Sequence, residues 1–263
     1  MFKGWGYRWS LVFKVIPIIA VIVAVKAILL YLYFEPLELS GLFSGLITAD
    51  VFLLGFLLAD VLADYKEGEK IPGELSAALE ILFEEATLIY NAKQAPIARE
   101  AQQYVLDLSV AIHDWLYRRI ATKVMMDKLS GLSLFVPQFE PLAPIAYVLR
   151  FRDAQHGIRR MLIRIRSIRE ESFIAAGHLV GIAVTLFTVV GMLVTQIGQF
   201  YQSLFIIGFI SFFLVYLLAI ILVLDNLFDY REGSAMEEIS LKPLEYIQFR
   251  MREQLGKSVE RVK

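Results

Sequence analysis

Residues Tyr201 to Leu224 contain no charged side chain at all. A helix crosses the hydrocarbon core of a bilayer with about 20 mostly apolar residues. An uncharged run of that length can only be a membrane span or a wholly buried core helix. Three more stretches are long enough: about Trp9 to Phe34, about Leu42 to Ala63 and about Phe173 to Ile197. A chain of 263 residues cannot bury four such helices in one water-soluble core. Its composition agrees, with 57% hydrophobic and 20% charged residues against roughly 45–50% and about 25% in ordinary soluble domains. The predicted class is a multi-pass membrane protein. The first apolar stretch is too long for a cleaved leader and no small-residue cleavage site follows it, so it is expected to stay as a span.

Charge orients the spans, because short segments rich in Lys and Arg stay cytoplasmic. Lys3 and Arg8 precede the first span, whereas the link around Phe34 to Ser40 carries Glu35 and Glu38 but no base. The link from Thr195 to Ser203 is uncharged. The segment from Asp64 to Ser172 holds 15 Lys+Arg and 15 Asp+Glu, and the tail from Asp225 holds 7 and 8. The expectation is a multi-pass protein of the cell (inner or plasma) membrane, with both termini and the middle segment cytoplasmic.

The middle segment reads as helical. Leu75, Leu79, Leu82 and Ile89 recur at helical spacing after Ile71-Pro72-Gly73, which is taken as a break. Val105, Leu108, Ile112, Leu116 and Ile120 mark a second helix predicted over Pro96 to Leu129. Pro137, Pro141 and Pro144 interrupt the next apolar stretch. A long helix is then expected from about Ile145 into the third span. Ile158, Leu162, Ile165 and Ile168 form its apolar stripe, beside Arg152, Arg159, Arg160, Arg164, Arg166 and Arg169. The bases of this helix, from Arg150 to Arg169, either pair with Glu80, Glu84 and Glu85, the favoured reading, or line a vestibule, or meet acidic lipid near Arg166 and Arg169. The predicted fold class is all-α, one protomer over residues 1–263, without repeat or second domain.

Several function classes drop out. With no cysteine there is no disulfide, thiolate metal site or cysteine nucleophile. His113, His156 and His178 are scattered, and no phosphate loop or Ser/His/Asp constellation appears, so no enzyme is expected. A net charge of −1 excludes a nucleic-acid binder that relies on overall positive charge.

The second span carries most of the functional information. Residues four apart share a helix face, which sets Thr48, Phe52, Phe56, Asp60 and Asp64 along one slowly drifting stripe. Repeated about a symmetry axis, the stripe would make an apolar constriction with carboxylate rings below it, a device for gating by dewetting and for selecting ions. Periodicity alone equally allows the two rings to pack against neighbouring helices with Asp60 at the water boundary. Asp50 lies off the stripe. An intramembrane carboxylate is usually paired or functional, and Lys26 in the first span is the expected partner. His178 is expected to be a hydrogen-bonded packing residue.

Phe52-Leu53-Leu54-Gly55-Phe56 resembles the neck motif of bestrophins, two phenylalanines around a short apolar-Gly stretch in the second span. The likeness continues loosely from Tyr65 to Pro72. It returns at Leu224-Asp225-Asn226-Leu227-Phe228-Asp229-Tyr230, where bestrophins have Asn-Pro-Phe-Gly followed by acidic residues. The span order, with its helical insertion, matches too. The resemblance implies a pentameric, passive ion channel whose second spans line a central pore, with a neck at Phe52 and Phe56 and, less securely, Thr48. Its partners would be small inorganic ions, lipid and further copies of the chain. Two departures count: Leu227 stands for the proline and Asp229 for the glycine. The acidic run of the family's calcium clasp thins to Asp225, Asp229, Glu232, Glu237 and Glu238. Asp225, Asp229 and Glu232 are therefore candidates for a weak cation site only. Calcium prefers six to eight oxygens and these residues lack regular spacing, so no cofactor is expected. Animal members conduct chloride, whereas Asp60 and Asp64 would repel anions; the sequence leaves chloride and monovalent cations both open. The competing reading is a membrane-anchored interaction or scaffold protein without a conducting pore.

Overall fold

The computed structural model describes residues 3–170, 174–225, 228, 230 and 239–260. In chain order the elements are α1 (Lys3–Tyr31), β1 (Leu37–Glu38), α2 (Gly41–Lys93), α3 (Pro96–Leu116), α4 (Thr122–Gly131), a 3-10 turn (Leu132–Leu134), α5 (Val136–Phe139), α6 (Ile145–Glu170), α7 (Ile174–Val194), β2 (Thr195–Gln196), α8 (Phe200–Leu224) and α9 (Lys242–Glu260). The all-α expectation holds, with one addition. β1 and β2 form a two-residue parallel ladder, Leu37 opposite Thr195 and Glu38 opposite Gln196. Among the described residues, four helices are long and apolar enough to cross a membrane: the part of α1 from Leu11, α2, α7 from Gly177, and α8.

The chain divides into two compact units. The first comprises residues 1–65, 172–226 and 235–237. In it, Leu54 and Val61 of α2 pack on Leu214 and Ile221 of α8. Other large apolar side chains lie exposed, among them Val21 and Ile28 of α1, Leu186 and Phe187 of α7, and Phe205 and Phe209 of α8. Water-soluble monomers rarely expose apolar surface on this scale; a bilayer or neighbouring subunits must cover it.

Three glycines of α7 leave room for large side chains of α2. A Cβ on Gly191 would meet the Phe43 ring at 2.6 Å, and one on Gly181 would meet Leu57 at 3.1 Å. Gly177 also faces Leu57. The two helices are therefore antiparallel: as α2 advances from Phe43 to Leu57, its partner on α7 recedes from Gly191 to Gly177.

The second unit comprises residues 66–171, 227–234 and 238–263. The periodicities read from sequence are its core: Leu75, Leu79, Leu82 and Ile89 of α2, Val105, Leu108, Ile112 and Leu116 of α3, and Ile158, Leu162 and Ile165 of α6 are all buried. Leu244, Ile247 and Met251 of α9 join them as buried residues. Arg169, at the end of α6, donates to the Phe228 carbonyl and to the Trp115 and Leu116 carbonyls at the C-terminal end of α3.

Three local expectations are corrected. α2 does not break at Ile71-Pro72-Gly73 but continues through Pro72 to Lys93. Proline removes one helical hydrogen bond, and burial of Ile71 and Leu75 on either side outweighs that loss. The helix expected over Pro96 to Leu129 is two, α3 and α4, because the chain turns at Tyr117–Ala121 with Arg118 at φ +58°. Of the expected pairing of the α6 arginines with Glu80, Glu84 and Glu85, the contact of Arg150 with Glu85 at 3.0 Å is present. Arg164 instead takes Glu67 through two nitrogens, at 3.0 and 2.8 Å. Glu80 pairs with Arg250 of α9.

Candidate functional site

The face of α2 that carries the stripe is built by what its other faces do. Asp50, Leu54 and Val61 are buried, against α7 and α8. With a repeat of 3.6 residues, that packing turns Thr48, Phe52, Phe56 and Asp60 away from the unit, and all four are exposed. Phe52 retains 76% and Phe56 67% of its surface. Neither ring packs within the first unit. The Thr48 hydroxyl is satisfied by its own helix, donating to the Ser44 carbonyl at 2.9 Å. No Cβ-sized obstacle lies beside Gly41, Gly45 or Gly55.

Asp64 does not share this openness. Sixteen residues on from Thr48 the stripe has drifted around the helix, and Asp64 is half-buried. It lies close enough to Asp225, just past α8, to act on its charge. Asp225 Oδ2 is 3.4 Å from Nδ1 of His178 on α7. Burial pushes the Asp225 carboxyl above the usual carboxylate range; His178 opposes that shift and Asp64 reinforces it. His178 is thus a buried, partnered side chain, with its Nε2 unmatched. Of the other two acidic residues proposed for a weak cation site, Asp229 and Glu232, both lie outside the described residues. Among the described residues no group of three or more His, Asp or Glu gathers as a metal site.

The expected Lys26–Asp50 pair is corrected. Lys26 has no exposed surface and its ammonium lies 2.6 Å from Glu35. It also donates to the carbonyls of Leu193 at 3.1 Å and Thr195 at 2.8 Å, with Met192 at 3.4 Å. These carbonyls lie at the C-terminus of α7, where a helix has unpaired acceptors and a negative dipole end. The lysine is thereby held about two turns along α7 from the level of Asp50, whose neighbour is Thr185. Asp50 accepts from the Thr185 hydroxyl at 3.2 Å. Sequence reasoning missed Glu35, Thr185 and Thr188; only the absence of any charged residue on α7 to meet Asp50 hinted that hydroxyls would do so.

No family model matches this chain, and no curated protein does either. Solved structures do. A bacterial bestrophin homolog from Klebsiella pneumoniae aligns with a TM-score of 0.76 at 18% identity, covering 92% of this chain and 98% of that one. A substituted form of that homolog gives 0.76 at 18% identity over 94% and 98%. A structure described as a membrane protein gives 0.75 at 18% identity over 92% and 99%. The chain has the fold of these proteins over nearly its whole length.

Proposed function

We propose that this chain, which has the fold of bacterial bestrophin homologs, is one subunit of a passive ion channel in a cell membrane, with a pore lined by the open face of α2. The observation that carries the reading is the exposure of Thr48, Phe52, Phe56 and Asp60 on one face of a helix whose opposite face, at Asp50, Leu54 and Val61, is buried. Lipid is a poor neighbour for a carboxylate, and a shared axial pore accommodates both it and the rings. The bestrophin resemblance supplies the stoichiometry, a pentamer.

Function then follows from the order of residues along α2. Phe52 and Phe56, one turn apart, form two stacked apolar rings that exclude bulk water when the pore is narrow. Asp60, another turn on, places a carboxylate ring at the mouth of that neck. No Lys or Arg occurs on α2 between Gly41 and Tyr65. The uncompensated ring concentrates cations and repels anions, so the reading favours monovalent cations over chloride. Charge asymmetry sets the Asp60 end towards the cytoplasm. No calcium site is part of the proposal, since Asp225 is engaged by His178.

Counting subunits in detergent and measuring flux into vesicles test the reading. A pentamer that passes monovalent cations supports it. A stable monomer or dimer that passes no ions favours the membrane-anchored interaction protein instead.

A further inference from the structure

Asp50 is a costly residue to bury. It has no exposed surface, yet only Oδ1 has a hydrogen bond, from Thr185; Oδ2 has none. A buried carboxylate that is neither paired nor fully hydrogen-bonded is costly to keep ionised, and must be neutralised by a proton or by a bound cation. The described bases of this unit do not pair with it. Lys26 is committed to Glu35 and the end of α7, His178 faces Asp225, and Lys14 is exposed one helix away. Thr188, also without exposed surface, sets its hydroxyl beside the same carboxyl group. That hydroxyl is not in good hydrogen-bond geometry with any group, though it lies near enough to the Asp50 carboxyl to turn towards it. The close α2–α7 approach at Phe43/Gly191 and Leu57/Gly181 brackets this spot on both sides and keeps the three side chains together.

We propose that Asp50, Thr185 and Thr188 form a buried binding site for one small monovalent cation of sodium size, held inside each protomer between α2 and α7. Carboxylate and hydroxyl oxygens are hard ligands suited to such an ion. Each threonine keeps lone pairs free for it. Charge selects the valence: one carboxylate and two neutral hydroxyls become neutral with a monovalent ion, whereas a divalent ion would leave a positive charge in a low-dielectric interior. The site lies on the packed side of α2, away from Phe52, Phe56 and Asp60, and does not depend on the channel reading. Its role is to clamp α2 to α7 and so fix which face of α2 remains open.

The test is thermal unfolding of the purified full-length protein in detergent, titrated with sodium chloride against N-methylglucamine chloride at matched ionic strength and constant pH. An ion that binds only the folded state raises Tm steadily with the logarithm of its concentration above half-saturation. Sodium should do so and N-methylglucamine should not. Asp50→Asn, which keeps the shape and the Thr185 contact, should abolish the sodium dependence, and Thr188→Val should move half-saturation to higher sodium. Phe52→Ala should retain the dependence in full. If Asp50→Asn does not fold, broadening of the sodium-23 resonance by the wild-type protein, reversed by lithium and weakened in Thr188→Val, serves in its place. A wild-type Tm indifferent to sodium overturns the proposal, as does a sodium response that survives in Asp50→Asn. Sodium indifference with a pH dependence that Asp50→Asn removes would show that the carboxyl binds a proton only, and overturns it equally.

Discussion

The Lys26 ammonium lies 2.6 Å from the Glu35 carboxylate, wholly removed from solvent, at the end of α7. One lysine from α1 thereby joins three pieces of chain: the loop leading to β1, the last turn of α7, and β2. The Leu37–Thr195 and Glu38–Gln196 ladder runs directly beside it, so the two inter-span links are fastened together by one charge and two residues of sheet.

Removing the ammonium strands a nearly buried carboxylate and three carbonyl groups. Breaking a buried pair by deleting one partner costs about 3–5 kcal/mol. Lys26→Met should therefore lower thermal stability severely. Glu35→Gln should cost less, because the lysine retains the carbonyls of Met192, Leu193 and Thr195. Melting curves of the two variants in detergent decide the order, and a more damaging Glu35→Gln would contradict the assignment.

In the second unit, Gly131 is required by its neighbour. A Cβ there would lie 2.1 Å from the Tyr104 hydroxyl oxygen, which now donates to the Lys128 carbonyl at 2.7 Å. Gly131→Ala should displace that hydroxyl and cost about 1–3 kcal/mol, the usual penalty for orphaning a buried polar group. In a Tyr104→Phe background, where the hydrogen bond is already gone, the added cost should shrink. A double-mutant cycle on unfolding measures the coupling; strict additivity would exclude it.

Glu85 supplies a pH dependence. Burial raises its pKa above the ordinary value, and Arg150 only partly opposes the shift. A carboxyl that is a weaker acid when folded favours the folded state in its protonated form. That contribution is present below its unfolded pKa and is lost as pH rises through the folded one. Glu85→Gln should thus gain stability relative to the parent as pH is raised from 4 towards neutrality, starting about the ordinary glutamate value of 4.5. A gap between the two melting temperatures that does not change with pH would contradict this.

These elements divide cleanly into what local pattern reveals and what it does not. The apolar period of α3 from Val105 to Leu116 identified a buried face because periodicity reports burial directly. Asp50 could be placed off the Thr48–Asp60 stripe for the same reason. Its partner could not be identified: Lys26 is the nearest base by composition, and only the three-dimensional level of the α7 terminus shows why it goes elsewhere. Pro72 looks like a stop because local propensity disfavours it, and tertiary burial overrides it. The turn at Arg118 carries no Gly or Pro to announce it, and a two-residue ladder has no period to detect. For the candidate site, the stripe was legible but its openness was not, since exposure depends on where α7 and α8 pack.

The proposed neck can be tested by removing it. If Phe52 and Phe56 form it, Phe52→Ala or Phe56→Ala would take away one of two apolar rings and widen the constriction, so single-channel conductance or basal leak should rise. Both side chains are exposed in the protomer, so neither substitution should unfold it. Unchanged currents in both variants would exclude a neck at these residues.

The most direct measurement is the reversal potential of the purified protein in a planar bilayer under asymmetric salt, compared with that of Asp60→Asn. A pore lined by α2 predicts a passive current whose reversal lies on the cation side of zero and moves towards zero when Asp60 loses its charge. A silent protein would contradict the channel itself, and a reversal potential unmoved by Asp60→Asn would contradict the placement of that carboxylate in the ion's path.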